Sequence, residues 1–155
     1  MTKTLSLSDD ASVIGGAIVE KRYRGNYLKG FVKIEETVKI PREVAYIDSA
    51  SFVQIRDIVK VIIFEGSSVY RLQTGVFDGM TNLEEVEALN VYFIGKKVFK
   101  DALNLNSVTV SPKAKAKLGA FPKGLKVKKK VVTVYIGRPR YSVLAKKFTF
   151  EKKKK

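Results

Sequence analysis

The sequence predicts a β-rich α/β solenoid of 22–25-residue coils, with an N-terminal cap and a C-terminal β-hairpin cap. Three observations carry this expectation. Phe recurs at positions 52, 77, 99 and 121, a period of 25, 22 and 22 residues. Ile47, Leu72 and Ile94 stand five residues before the first three of these, and Ile58, Leu83 and Leu105 six residues after. Each period also opens on a short alternating apolar pair, which reads as a half-buried strand. One such unit cannot bury its own apolar face, so a period in this range implies stacked neighbours sharing one core.

The elements follow in chain order. The 155 residues suit a single domain, with 1–37 as an N-terminal cap, 38–127 as the repeats and 128–155 as a basic hairpin with a Lys tail. In the cap, Gly15-Gly16 reads as a turn and Phe31-Val32-Lys33-Ile34 as a strand. A cap is expected because an open first coil would be an aggregation edge. Four units then begin at Val38, Val59, Glu84 and Asn106. Their opening pairs are Val38/Ile40, Val61/Ile63, Val86/Ala88 and Val108/Val110. Each continues through a short helical or irregular turn, for four or five coils in all. Ser51, Val76, Val98 and Ala120 precede the Phe residues and are small enough to let coils approach. In the fourth unit the spacing contracts to Leu118, Phe121 and Leu125. Beyond the repeats, Val131 to Ile136 is β-branched enough to be a strand. Gly137-Arg138-Pro139-Arg140 reads as a turn, and Tyr141 to Leu144 resumes the strand, with Phe148-Thr149-Phe150 after it.

The run Val38-Lys39-Ile40-Pro41, then Val44, Ile47, Ser51-Phe52 and Ile58, resembles the BspA-like leucine-rich repeat (the Treponema pallidum type). The chain also departs from it: in the second unit Phe64 stands for the Pro, and in the first three units Gln54, Gly79 and Asp101 occupy the usual small or Cys position. The resemblance spans roughly residues 38–127. It implies a right-handed solenoid used for binding, often in surface or adhesion proteins.

Composition narrows the chemistry. With no Cys and no His, disulfides and thiolate or imidazole metal sites are excluded, as are most nucleophile–base pairs. No cofactor and no catalytic residue is expected, and the chain reads as a binding protein. Gly95-Lys96 lacks the flanking residues of a phosphate loop. Glu35-Glu36 and Glu84-Glu85-Glu87 read as exposed charge rather than a Mg²⁺ site, because adjacent acids on a strand face opposite ways. No apolar run is long enough to cross a bilayer, and the absence of an apolar leader favours a cytoplasmic or virion setting over secretion.

The charge is lopsided. Residues 1–112 hold 14 Lys+Arg and 14 Asp+Glu, whereas residues 113–155 hold 16 Lys+Arg and one acid, Glu151. All of the net charge of +15 therefore lies in the last quarter, which suggests an anionic partner. The candidate contacts are Lys113, Lys115 and Lys117, alternating with apolar residues on one face; then Lys123, Lys126, Lys128, Lys129 and Lys130; then Arg138, Arg140, Lys146 and Lys147. Stacked at one end of a solenoid, they would form one continuous patch for phosphate oxygens. Lys acts as a point charge, so contact without base reading is expected. A second basic segment, Lys21 to Phe31, interleaves Tyr23, Tyr27 and Phe31 with cations, a pattern that suits nucleobase stacking. Its spacing of four also suits a helix face packed on the solenoid, and capping is the favoured role.

The reading that follows is a non-enzymatic scaffold. Its repeats would contact protein, and its basic end nucleic acid, an acidic protein surface or another polyanion, in an assembly such as a virion or ribonucleoprotein. An adhesin-like surface module and a protein inhibitor of a nucleic-acid enzyme are the alternatives.

Overall fold

Strand-forming stretches in this chain are short and alternate, so each supplies one pair of core residues and one pair of outward residues. In the computed structural model, which describes residues 10–48, 50–137 and 140–152, the regular elements are all β-strands. The α/β expectation is corrected accordingly: no helix occurs among the described residues. Each coil instead turns back through consecutive tight turns, with Val76 N–H donating to the Gln73 carbonyl at 3.1 Å and Met80 N–H to that of Phe77 at 3.3 Å. Gly75 (φ 70°) and Gly79 (φ 78°) are left-handed, which interrupts any helical path across this stretch.

The chain opens as an antiparallel meander: β1 (Ala11–Ile14), β2 (Ala17–Arg22) and β3 (Gly25–Phe31). Gly15 and Gly16, both at positive φ, form the turn between the first two strands. The strand expected over 31–34 lies earlier: Phe31 ends β3, while Val32 and Ile34 are exposed. Nor is Lys21 to Phe31 a helix, since it runs from β2 through a turn into β3.

Four coils follow, each with a longer and a shorter strand. They are β4 (Thr37–Ile40) with β5 (Tyr46–Ile47), and β6 (Val61–Phe64) with β7 (Arg71–Leu72). Then come β8 (Glu85–Ala88) with β9 (Phe93–Ile94), and β10 (Ser107–Val110) with β11 (Lys115–Ala116). The longer strands stack in parallel register, setting Val38 beside Ile62, Val86 and Val108, all buried. This corrects the second opening pair, because the core residues of β6 are Ile62 and Phe64, not Val61 and Ile63. Four apolar residues in a row allow either phase of alternation, and the neighbouring strands select one.

The shorter strands pair Leu72 with Ile94 and Ile94 with Ala116. Hence the fourth coil does not contract: Ala116, five residues before Phe121, holds the place of Ile94, and Leu118 is 95% exposed. Leu83 and Leu105 are buried as expected, whereas Ile58 is exposed and Val59, one residue later, is fully buried. The first coil is longer by that residue.

The Phe residues form a continuous ring stack. Centroids of Phe31, Phe52, Phe77, Phe99 and Phe121 follow one another at 5.5, 5.0, 5.6 and 5.7 Å. Each such aromatic pair is worth about 0.5–1.5 kcal/mol beyond the area it buries. Amide side chains tie the coils at their rims, with Asn82 Nδ2 donating to the Asp57 carbonyl at 2.6 Å and Asn104 Nδ2 to that of Thr81 at 2.9 Å.

The chain ends in a hairpin of β12 (Leu125–Ile136) and β13 (Tyr141–Lys152), twelve residues each. Both strands are longer than the apolar stretches suggested, because the run Lys126 to Lys130 is itself strand. β13 pairs antiparallel with β10, giving the sheet order β12-β13-β10-β8-β6-β4. Phe148 and Phe150 lie 5.0 and 5.1 Å from Phe121 and carry the ring stack into the hairpin.

Candidate binding site at the C-terminal end

Strand alternation sorts the lysines of the hairpin onto two faces. Phe148 and Phe150 are buried against the core, and their partners across the ladder are Lys129 and Val127. Lys146 opposes Val131 in the same phase, so Lys129 and Lys146 share the inner face. In the other phase, Lys126 opposes Glu151, Lys128 opposes Thr149 and Lys130 opposes Lys147, which places Lys126, Lys128, Lys130 and Lys147 on the outer face. The single continuous patch expected from the sequence is therefore two surfaces, one on each side of the hairpin.

The inner surface is one wall of a cleft of about 840 Å³. The opposite wall is β11 and the turn that follows it. Lys115, Lys117, Lys123, Lys129 and Lys146 line the cleft, and none of its lining residues is a carboxylate. Phe121, Phe148 and Val127 supply apolar surface between them. Lys113 does not join this group: it sits on the turn between β10 and β11, its N–H 3.3 Å from Ser111 Oγ. The face expected to hold Lys113, Lys115 and Lys117 thus keeps only the last two. Arg140 is exposed at the hairpin turn, outside the cleft, and Arg138 lies outside the described residues.

Two basic residues of the charge-balanced region also face this end and were missed. Lys96 and Arg71 line a smaller cleft of about 480 Å³ with Lys117, and the Arg71 guanidinium lies 5.3 Å from the Phe93 ring centroid. The signal was positional: Arg71, Phe93 and Lys115 occupy the same site in successive coils.

The segment Lys21 to Phe31 is mostly committed to packing. Phe31 starts the ring stack, and Tyr27 stacks on Tyr46 at 4.9 Å with the Arg22 guanidinium 4.2 Å above its ring centroid. Arg22 donates to Glu20 at 2.7 Å, and that bond holds the guanidinium above its ordinary pKa. Lys29 donates to Asp48 at 2.7 Å, and this bond, with a second from Ala50 N–H, holds the Asp48 carboxyl below the usual range. Of its aromatic residues, Tyr23 is the exposed one.

Six copies of the BspA type leucine rich repeat region match residues 29–123, more than half of the chain. The chain belongs to the BspA-type leucine-rich-repeat family. The matched span begins within β3 and ends two residues before β12. The BspA-type repeats thus account for the four coils, while the lysine-bearing hairpin lies beyond the match. No curated protein and no solved structure matches. A BspA-type solenoid points to a protein-interaction scaffold.

Proposed function

We propose that the protein is a non-enzymatic interaction scaffold whose basic C-terminal end also engages nucleic acid, through phosphate contacts on the outer face of the hairpin. One observation carries this reading. Lys126, Lys128 and Lys130 stand at alternate positions of an edge strand, all exposed, with Lys147 beside Lys130. Residues two apart on a strand repeat at about 6.8 Å, so the ammonium groups form a regular row of point charges. Such a row neutralises phosphates without reading bases. The row is bounded: Glu85 and Glu87 lie on the same face two strands in from β13, through Ser107 and Thr109.

The test is a salt series with a labelled random single strand, using the intact chain and a variant with Lys126, Lys128, Lys130 and Lys147 changed to Gln. Binding by the intact chain should weaken steeply with salt, and the variant's slope should be flatter by about 3 if four phosphate contacts are lost. Equal slopes for the two proteins, or no binding at moderate salt, would overturn the nucleic-acid reading.

A further inference from the structure

The two sheets of the solenoid end differently. Past β10 the larger sheet continues into β13 and β12, but the smaller sheet, in the order β11-β9-β7, stops at β11. Its ladder shows what the next strand would use. The carbonyls of Tyr92 and Ile94 accept from Lys115 N–H and Lys117 N–H, each at 2.8 Å. The matching acceptors one coil on are the carbonyls of Ala114 and Ala116. The first already takes a hydrogen bond, from Lys146 Nζ at 2.7 Å, so a side chain stands where a strand N–H would be. The second meets no donor among the described residues. Because Lys115 N–H and Lys117 N–H point to β9, alternation turns the N–H and carbonyl of Ala116 toward the cleft.

The walls of the cleft specify what could complete this edge. Five lysines and no acid line it, and aromatic and aliphatic surface lies between them. Leu118, 95% exposed, stands at its rim. Lysines on an edge strand repel a second copy of the same edge and favour one that carries carboxylates. We propose that the cleft accepts an extended acidic peptide, which adds to β11 as a fourth strand of the smaller sheet and sets its carboxylates against Lys115, Lys117 and Lys129. Main-chain bonds to Ala116 supply the register, and alternate apolar side chains rest on the Phe121 and Phe148 side. This deepens the protein-scaffold part of the reading above and uses none of the residues of the phosphate-contacting face.

The probe is a labelled peptide of alternating Glu and Val, seven residues long, titrated into the full chain and followed by fluorescence anisotropy. A peptide with Pro at its centre keeps most of the charge but cannot donate to the ladder. The expected result is saturable binding, weakened about tenfold by the central Pro and about tenfold by a variant with Lys115, Lys117 and Lys129 changed to Gln, the loss expected of three exposed ion pairs. All three lysines are exposed, so the variant should fold, which circular dichroism checks. Amide exchange at Ala116 should slow only with the unbroken peptide. Three results would overturn the proposal: equal binding of both peptides, which would mean charge alone; displacement of the peptide by an oligonucleotide whose binding depends on the same three lysines; or self-association of the chain through this edge. The outer-face variant should bind the peptide as the intact chain does, so failure here and failure of the nucleic-acid reading are read from different proteins.

Discussion

Lys97 is the only non-glycine residue with positive φ among the described residues, at 59°. Gly75 (φ 70°) and Gly119 (φ 85°) hold the same place in the neighbouring coils, two residues before the Phe. The turn demands a left-handed residue there, and a side chain in that conformation costs about 1–2 kcal/mol against the ordinary one. Glycine avoids the clash but gives up more chain entropy, so part of the gain is offset. Lys97→Gly is expected to stabilise the fold by up to about 1 kcal/mol, read as a higher midpoint in urea with an unchanged slope. A lower midpoint would mean that the Lys97 side chain contributes more than its backbone costs. In the sequence this site was hidden because a lysine occupies it, although glycines stand 22 residues to either side.

At the scale of elements, the edge strand β12 carries two consequences of one lysine run. Lys126, Lys128 and Lys130 are proposed to contact phosphate, and by their charge they also keep a twelve-residue edge from pairing with another chain. Changing these three to Val is expected to convert the protein to a self-associating form, seen by light scattering as a concentration-dependent mass. A variant that stays at the mass of one chain at all concentrations would show that the arm is protected by other means. The elements were legible where apolar and polar residues alternate strictly: β4, β8 and β10 carry core pairs as read from the sequence. They were not legible where alternation is degenerate. Val61 to Phe64 is apolar throughout, and only cross-strand register decides which pair is buried. Ala116 takes the register place of Ile94 in the last coil but is itself exposed there and has too little apolar character to announce it, so the larger Leu118 was read in its place. Lys126 to Lys130 was not read as strand, which was expected to begin at Val131, because strand propensity is weak for lysine, yet edge strands tolerate it. The candidate site suffered from the same blindness. Which lysines exist was plain, but their division between two faces depends on a register that no local pattern contains.

For the whole molecule, a neutral body bears a basic end, and the hairpin folds against its own repulsion. Lys130 lies opposite Lys147, and Lys129 shares its face with Lys146. Raising the salt from about 0.02 to about 0.5 M shortens the Debye length from roughly 20 Å to under 5 Å, which removes most of this repulsion. Stability is therefore expected to rise with salt, and hydrogen exchange should place the gain in β12 and β13 rather than in β4 and β6. A fall in stability with salt would mean that the ion pairs of the meander, Lys29 with Asp48 and Arg22 with Glu20, outweigh the repulsion at the other end. That exchange pattern would also report how far the ring stack, which runs from Phe31 to Phe150, binds the two ends into one cooperative unit.

The in-register pairing of β8 with β10, residue 85 on 107 through 88 on 110, makes one coil interchangeable with the next. A coil adds one strand spacing, about 4.8 Å, to the axis and changes neither terminus. The body is in that sense a gauge block: inserting or excising one 22-residue unit would move the basic end relative to the amino-terminal meander by a fixed step. Any pair of partners gripped at the two ends would be held at a distance counted in coils.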